Sequence, residues 1–350
     1  MKFNPLGSSG LSVSEICLGS MTWGLQNNQT DADQQLAIAL AAGINFIDTA
    51  EMYAVPPSPE TYGKTEAIIG NWLSRNQAKR NELVIATKIA GPGLSWVREG
   101  SPMSSESVCQ AVDASLQRLK TDYIDLYQLH WPNRPSPHFG KHWHNDIAFT
   151  DVDHRQTTEQ MLDILQGLQR CVDAGKIRHC GLSNETPWGI NQYLKLAKSH
   201  NLPRMVSIQN EFNLLQSKDW PYLIEQCVYE EIAYLPWSPI AGGALSGKYL
   251  DGARPEGSRW TLTQRNGLFR DTTQSELATA AYCNLAAQHK ISPAQLANAW
   301  CKQVNGVTST IIGATTPAQL NENIAAFKIE LSDELLTEIN QILQTYPLTF

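Results

Sequence analysis

The decisive stretch of the sequence runs from LVIATK (83–88) through a helical pattern (104–120) to YIDLYQLH (123–130). Both short runs are apolar on two faces, which is typical of parallel strands that helices cover. A strand, a helix and a second strand in this order form one β–α–β unit. Because the rest of the chain repeats this unit, the stretch predicts an α/β protein with a parallel sheet.

Strand-like runs and helical patterns alternate eight times along the chain. The strand-like runs cover 15–20, 46–50, 83–88, 123–130, 179–184, 207–212, 232–238 and 309–314. The helical patterns cover 31–42, 64–75, 104–120, 157–174, 186–199, 217–230, 293–304 and 317–326. An open sheet of this width is unusual, so the pattern predicts a closed (β/α)8 TIM barrel.

Three further features are expected outside the repeat. The opening segment between Phe3 and Val13 contains Gly7 and Gly10 and is typical of a β-hairpin that caps one end of the barrel. Two extra helices are expected at about 274–290 and 332–345. No linker divides the chain, so residues 1–350 are expected to form a single domain.

Composition narrows the class of protein. The 350 residues include 27 lysines and arginines against 34 acidic residues, a net charge of −7, which disfavours nucleic acid and anionic membranes as partners. The N-terminus has no apolar signal segment, and no run is long enough to span a bilayer. The seven cysteines form no CxxC pair and are expected to be small, reduced, buried side chains of a soluble cytoplasmic protein.

Four polar side chains lie at or just after the ends of three neighbouring strands. Asp48 and Tyr53 belong to FIDTAEMY, Lys88 ends LVIATK and His130 ends YIDLYQLH. A tyrosine hydroxyl, with a pKa near 10, is a poor acid at neutral pH, but a nearby ammonium favours the phenolate. A carboxylate would hold that ammonium, and a neutral imidazole would orient a carbonyl. The four residues therefore predict one proton-transfer site.

Each of these residues also has an ordinary structural explanation. Asp48 suits a turn or cap, Tyr53 suits loop packing, and His130 suits a hydrogen-bonded place in the core. Tyr62 is a second candidate phenol. A lysine that closes an apolar strand, however, is rarely buried without a partner. Coincidence is the weaker explanation of all four together.

Seven stretches of the chain resemble the aldo-keto reductases, in the order and near the spacing of that family. They are GINFIDTAEMY (43–53), ATKIAG (86–91), DYIDLYQLHWP (122–132), GKIRHCGLSNE (175–185), IQNEFNLL (208–215), WSPIAGGALSGKY (237–249) and IIGATTPAQLNEN (311–323). The insertion YAVPPSPETYGKTE (53–66) is most similar to a bacterial branch related to the potassium-channel β subunits. The resemblance implies a (β/α)8 barrel and an NADPH-dependent carbonyl reductase.

The resemblance also implies roles for individual residues. Tyr53 would be the general acid, Lys88 and Asp48 the pair that tunes it, and His130 the group that positions the carbonyl. The implied cofactor contacts are Ser183, Asn184 and Gln209 to the nicotinamide carboxamide, Trp237 to the nicotinamide ring, Ser238, Gly243, Leu245, Gly247 and Lys248 to the pyrophosphate, Arg259 to a phosphate, and Gly313, Thr315, Gln319, Glu322 and Asn323 around the adenosine end.

Parts of the cofactor segments have alternative interpretations. Gly242-x4-Gly247-Lys248 nearly matches a nucleotide-triphosphate loop, although Tyr249 takes the place of its Ser or Thr. Gln319 could be only the capping-box partner of Thr316. The common reductase branch carries a lysine and an arginine where this chain has Gly313 and Gln319, so the choice between NADPH and NADH stays open.

The long connection at 131–156 contains polar residues that could suggest a metal site. They are His138, His142, His144, Asp146 and Asp151. Convergent ligands and a supporting second shell are not evident, so no metal is expected and a solvent-exposed or gating loop is favoured. Trp23 and Trp131 are candidates for the wall of an apolar substrate pocket, together with Trp96, Trp143 and Trp260.

Three functions remain at this stage. The first is reduction of a small-molecule aldehyde or ketone with NADPH. The second is a cofactor-binding regulatory or interaction protein with weak reductase activity. The third is a metal-dependent hydrolase on the same barrel, since fold alone does not determine chemistry.

Overall fold

The computed structural model describes residues 1–141, 143–262, 268–347 and 349–350. Its strands are β1 (Phe3–Pro5), β2 (Ser12–Ser14), β3 (Ile16–Gly19), β4 (Phe46–Asp48), β5 (Val84–Ile89), β6 (Ile124–Leu129), β7 (Ile177–Ser183), β8 (Met205–Gln209), β9 (Ala233–Tyr234) and β10 (Thr310–Ile312). Its helices are α1 (Gln29–Ala41), α2 (Lys64–Arg75), α3 (Ser105–Leu119), α4 (His154–Asp173), α5 (Pro187–His200), α6 (Tyr222–Tyr229), α7 (Arg259–Leu262), α8 (Thr273–Gln288), α9 (Pro293–Gln303), α10 (Pro317–Ala326) and α11 (Asp333–Thr345).

Eight of the strands in these described ranges form one parallel sheet in the order β10-β3-β4-β5-β6-β7-β8-β9. The two ends of the sheet meet, because Thr308 donates its amide to the carbonyl of Tyr234 at 2.9 Å and Ile311 donates to the carbonyl of Pro236 at 2.9 Å. Parallel bridges join Tyr234 to Val307 and Trp237 to Ile311. The predicted (β/α)8 barrel is confirmed.

The N-terminal hairpin, also confirmed, closes the floor of the barrel. Strands β1 and β2 pair antiparallel, with Phe3 opposite Ser14. Gly7 lies in the connection with a positive φ of 53°, and a Cβ there would stand 2.3 Å from the carbonyl oxygen of Val206. Because Val206 is near the start of β8, the hairpin covers the amino ends of the strands and leaves the opposite mouth open to the loops.

Two apolar layers hold the barrel together. Inside it, a cluster that includes Phe46, Leu126 and Leu235 fills the space between the strands. Outside it, strand side chains such as Ile85 pack in the larger cluster that the helices cover. The predicted extra helices are present as α8 and α11, which contact each other. None of the helices in the described part of the chain combines the length and apolar character needed to cross a bilayer.

Several predicted boundaries were wrong for identifiable reasons. The strand expected over 232–238 ends at Tyr234, because Pro236 has no amide to continue a regular ladder. The helix expected over 217–230 begins at Tyr222, after Pro221 and a turn in which Asp219 accepts the amides of Leu223 and Ile224.

The starts of α9 and α10 are capped differently, and the capping box suggested for Thr316 and Gln319 does not form. At the start of α9, Ser292 accepts the Gln295 amide and the Gln295 side chain accepts the Ser292 amide. At the start of α10, Thr316 accepts the Gln319 amide, but the Gln319 side chain accepts from Thr315 instead of returning to Thr316.

Candidate active site

The four polar residues at the strand ends come together at the mouth of the barrel. Asp48 is the last residue of β4, Lys88 is the penultimate residue of β5, and His130 directly follows β6. Because these strands are parallel neighbours, their carboxyl ends lie side by side. The loop after β4 returns Tyr53 to the same place. All four side chains are buried.

The ammonium of Lys88 is the centre of this arrangement. Its Nζ lies 2.6 Å from Asp48 Oδ2, 2.8 Å from the carbonyl oxygen of Thr49 and 3.5 Å from the hydroxyl of Tyr53. An ammonium has three donors, and here each has an acceptor. A charge can be buried when it has a partner with good geometry, and the ion pair of Lys88 and Asp48 meets this requirement.

The second oxygen of Asp48 is held by two amides. Gln209 Nε2 donates to Asp48 Oδ1 at 2.8 Å, and Gln128 Nε2 donates to the same oxygen at 3.2 Å. Gln209 comes from β8, on the other side of the barrel, so the carboxylate is bonded from across the interior. Gln128 was not predicted as part of the site, although a glutamine inside the apolar run YIDLYQLH was a visible signal.

Burial and charge set the protonation states of these groups. Burial lowers the pKa of Lys88, but the charges of Asp48 and Tyr53 and the hydrogen bonds to both raise it above its usual value, so the amine is an ammonium. Burial raises the pKa of Tyr53, and the opposing effect of Lys88 is smaller. The predicted lowering of the Tyr53 pKa was therefore wrong. Among these side chains, Tyr53 is a neutral phenol that carries its proton.

His130 presents a neutral imidazole beside the phenol. Burial, and then the charge of Lys88, place the pKa of His130 well below its usual value. The His130 and Tyr53 rings meet edge to face with their centroids 5.7 Å apart. The buried Nδ1 of His130 has no hydrogen-bond partner among the described residues.

The rival phenol, Tyr62, is engaged elsewhere. Its hydroxyl donates to Glu51 Oε2 at 3.0 Å. Burial and the nearby Glu51 charge raise the pKa of Tyr62 to about 12. Tyr62 thus belongs to the Glu51 network, whereas Tyr53 is the phenol at the Lys88 ammonium.

The residues expected around a nicotinamide line the ends of β7 to β9. Ser183 Oγ and the Asn184 amide both donate to the carbonyl of Gln209, at 2.9 and 3.0 Å. Asn184 also donates from Nδ2 to the carbonyl of His130 at 2.9 Å, which ties this group to the polar residues above. In the described structure, Asn184 Oδ1 and Trp237 Nε1 are buried without a hydrogen-bond partner. An unpaired acceptor and an indole at the ends of the same group of strands are the kinds of group that suit a planar carboxamide-bearing ring.

The glycine-rich segment after Trp237 forms a cradle beside a cation. Ser238 Oγ accepts the amide of Gly242 at 2.7 Å. Gly243 has a φ of 98°, and a Cβ there would stand 2.8 Å from Cε of Lys248. Leu245 is buried, and Gly247, with a φ of 79°, ends the turn.

Two further features decide how the glycine-rich segment is interpreted. Lys248 has no carboxylate within ion-pair distance in the described ranges. Residues 241–246 form a 3-10 turn. A triphosphate loop instead leads into an α-helix, so that alternative is wrong. Tyr249, which takes the place of the Ser or Thr of such a loop, stacks instead on Trp260 with ring centroids 4.0 Å apart.

The residues expected around an adenosine mainly bond one another. Asn323 Nδ2 donates to the carbonyl of Gly313 at 3.1 Å, and Gln319 Oε1 accepts the amide of Thr315 at 2.9 Å. Glu322 accepts from Ser292 Oγ at 2.5 Å. A Cβ on Gly313 would meet nothing within 4 Å, so there is open space beside the chain at this point.

Arg259, at the start of α7, is a cation without a carboxylate partner in the described residues. Its Nη2 lies 3.4 Å from the sulfur of Met21. Burial, followed by the charge of Arg270, lowers the pKa of Arg259 to about 10. The guanidinium is therefore still charged at neutral pH and is free to bind an anion.

The expected substrate-pocket residues divide into two groups. Trp23 is fully buried and its indole N–H donates to Gln35 at 2.9 Å, so it is a core residue and the pocket assignment was wrong. Trp131 lies at the mouth, 5.0 Å from the His130 ring. Phe139, which the sequence analysis did not single out, continues a row of rings from Trp131, at 6.3 Å, to Trp237, at 6.1 Å.

The remaining tryptophans do not form a single wall. Trp96 and Trp143 are exposed, whereas Trp260 is buried in its stack with Tyr249.

Three buried glutamates just beyond the strand ends were also not predicted as part of the mouth of the barrel. Each is paired with an arginine from a long loop: Glu51 with Arg98, Glu185 with Arg134, and Glu211 with Arg270. The pairs fix the loops around the mouth. The partners are 47, 51 and 59 residues apart in sequence, so their pairing left no local signal.

The described residues of the histidine-containing loop do not converge on a metal site. His142 lies outside the described residues. Among the residues that are described, no group of three or more histidines, cysteines or carboxylates could hold a metal ion. Asp146 accepts the backbone amide of Trp143 at 2.7 Å. The hydrolase alternative therefore loses its motivating cluster.

Comparisons with known proteins identify the family of this chain. The model of the Aldo/keto reductase family matches residues 15–344. The protein Tas of Escherichia coli (strain K12) is 43% identical over 349 residues, which is 99% of each chain, and the protein Tas of Shigella flexneri matches equally well. An aldo-keto reductase of Babesia bovis is 38% identical over 275 residues, which is 75% of this chain and 96% of that protein. The chain belongs to the aldo/keto reductase family.

Proposed function

We propose that this protein reduces the carbonyl group of small aldehydes or ketones to an alcohol with NADPH, and that Tyr53 is the proton donor. One observation carries the proposal: the buried hydroxyl of Tyr53 lies 3.5 Å from the ammonium of Lys88, which is itself held by Asp48. Family membership supports carbonyl oxidoreduction in general. The choice of NADPH and the role of the tyrosine rest on the residues around the mouth.

The residues present fit a nicotinamide dinucleotide. Asn184, with its unpaired buried Oδ1, would accept from the carboxamide, and the Trp237 ring would lie against the nicotinamide. Lys248 beside the cradle of Gly243 would neutralise the pyrophosphate. Arg259 would pair with the 2′-phosphate, which distinguishes NADPH from NADH. The cofactor supplies a hydride when it is bound.

In the proposed mechanism, the side chains of the site donate the proton and stabilise the charge that it leaves behind. The Tyr53 hydroxyl proton passes to the carbonyl oxygen of the substrate and leaves a phenolate, which solvent reprotonates. The Lys88 ammonium stabilises that phenolate and so eases the transfer. Neutral His130 is suited to hydrogen-bond the carbonyl oxygen and fix its position. The proton moves because charge develops on the substrate oxygen, not because Tyr53 is acidic at rest.

The test compares Tyr53→Phe with Tyr62→Phe. Tyr53→Phe removes only the hydroxyl and should lower kcat at least about a hundredfold, in line with general-acid contributions. NADPH binding should persist and is measured as quenching of tryptophan fluorescence, to which Trp237 contributes. Tyr62→Phe removes the same group from the Glu51 network and should keep kcat near that of the unmodified protein.

The outcomes of this test are distinct. Near-normal turnover in Tyr53→Phe would rule out its role as the acid. Tight NADPH binding without turnover of a broad panel of aldehydes, ketones and quinones would favour the regulatory alternative. Failure of the unmodified protein to bind NADPH would overturn the cofactor assignment itself.

A further inference from the structure

Two thiols on the neighbouring helices α3 and α4 are in contact. Cys171 Sγ of α4 lies 3.6 Å from Cys109 Sγ of α3. Cys109 in turn donates to the carbonyl of Gly167 at 3.6 Å. Cys171 is only 2% exposed, whereas Cys109 is partly exposed. The two thiols therefore form a pair that solvent reaches from one side.

The helices that carry the thiols pack closely one turn above them, and an ion pair joins α3 to the turn that follows α4 below them. Above, a Cβ on Gly167 would lie 2.6 Å from the Cα of Ser105, so the two backbones approach closely there. Below, Lys176 Nζ lies 2.5 Å from Asp113 Oδ1. The contact between the thiols is therefore set by the close approach of the two helices at Gly167 and not by the side chains alone.

Close helix packing is what a disulfide requires. Its two Cα atoms must lie within about 4.4–6.8 Å, and its sulfurs about 2.05 Å apart. Thiols already in van der Waals contact need to approach by less than the width of an atom. We propose that Cys109 and Cys171 are a modification site: a low-molecular-weight disulfide such as oxidised glutathione converts them reversibly into an intramolecular disulfide that staples α3 to α4.

The exchange balances in two steps. The Cys109 thiolate attacks one sulfur of the oxidant, which forms a mixed disulfide and releases one small thiolate. The Cys171 thiolate then attacks Cys109 Sγ, which closes the protein disulfide and releases the second small thiolate. The two protons lost by the cysteines end on the two released thiols, and one disulfide of the oxidant is reduced.

The order of these steps follows from exposure. Cys109 is the thiol that reagents can reach, and Cys171 resolves the mixed disulfide from below. Burial, and then its neighbour Cys109, raise the pKa of Cys171 to about 12, so the second step should be slow at neutral pH. The two thiols are therefore suited to a slowly formed disulfide between α3 and α4 and not to rapid peroxide sensing.

The experiment uses the full-length protein incubated with oxidised glutathione. The remaining thiols are alkylated, and peptides are mapped by mass spectrometry. We expect a peptide pair joined through Cys109 and Cys171 and lighter by two hydrogen atoms than its reduced form. Because the disulfide closes a long loop, Tm should rise by about 5 °C and return after dithiothreitol.

Two comparisons make the result decisive. Cys171→Ser should leave Cys109 with glutathione attached and abolish the rise in Tm. Cys283 is also partly exposed but contacts no other thiol in the described ranges, so it should take up glutathione without crosslinking. Modified Cys283 in a protein whose Cys109 and Cys171 stay unjoined would overturn the proposal, as would a crosslink that leaves Tm unchanged.

Discussion

A buried lysine is the residue on which the proposed chemistry depends. Lys88 is completely buried, and its ammonium is stable there because a carboxylate, a carbonyl and a phenol accept its three hydrogens. Removing one partner of a buried ion pair typically costs about 3–5 kcal/mol. In the proposed mechanism, the same charge that is held in the core would stabilise the Tyr53 phenolate after the proton is transferred. The contacts that stabilise the buried ammonium are thus the same ones that the proposed chemistry uses.

The low pKa of His130 predicts a pH dependence of stability. Below the pKa of an unfolded histidine, about 6.5, the unfolded chain binds a proton that the folded site does not. The stability is therefore complete above that pH and decreases as pH falls below it. Between pH 7.5 and 5.5, the free energy of unfolding should fall by about 1 kcal/mol more in the unmodified protein than in His130→Gln.

Urea titrations at the two pH values measure this difference. His200→Gln is the control, since His200 is exposed at the end of α5 and its loss should leave the pH dependence unaltered. An equal loss of stability in His130→Gln and the unmodified protein would show that His130 is not held neutral by the fold.

At the scale of elements, glycines set the distance between helices. A Cβ on Gly70 of α2 would stand 2.0 Å from the carbonyl oxygen of Arg118, in α3. That oxygen is backbone, so it moves only if α3 moves. Alanine favours a helix over glycine by about 1 kcal/mol, but the clash outweighs this gain.

Gly70→Ala should therefore destabilise the protein by about 1–3 kcal/mol, the usual cost of overpacking. Urea unfolding monitored by circular dichroism measures the change. Ser74→Ala lies on the exposed side of the same helix and should stay within about 0.5 kcal/mol. A Gly70→Ala variant as stable as Ser74→Ala would mean that α2 and α3 do not pack this closely in solution.

For the whole molecule, we propose that residues 1–350 unfold as one domain. The proposed cofactor contacts run from Ser183 to Asn323, so one ligand would bind to much of the barrel. Tryptophan fluorescence and circular dichroism should report one coincident thermal transition, since the ten tryptophans are spread from Trp23 to Trp300. NADPH at about a hundred times its Kd should raise both by about 4 °C.

Inorganic phosphate at the same ionic strength is the control for this shift and should leave Tm almost unchanged. Two separate transitions, of which NADPH moved only one, would contradict the single domain. A single transition that NADPH does not move would instead count against cofactor binding.

The sequence by itself determined the elements and their order. Apolar runs and helix caps are local, so the alternation from β3 to α10 and the residues at the strand ends were readable. The boundary errors fell at prolines inside or beside a predicted element, as at Pro236, whose missing amide shortened β9. The catalytic candidates were readable because a charged residue at the end of an apolar strand stands out against its neighbours.

Only the tertiary structure decided which distant groups meet. Gln209 reaches Asp48 across the barrel, over 161 residues of sequence. Each buried glutamate at the mouth finds its arginine on a separate loop, and Cys109 touches Cys171 because two helices pack at Gly167. Burial likewise reversed the expected shift of Tyr53 and placed Trp23 in the core. Desolvation and pairing depend on the groups that surround a side chain in space. The order of residues along the chain does not show which groups these are.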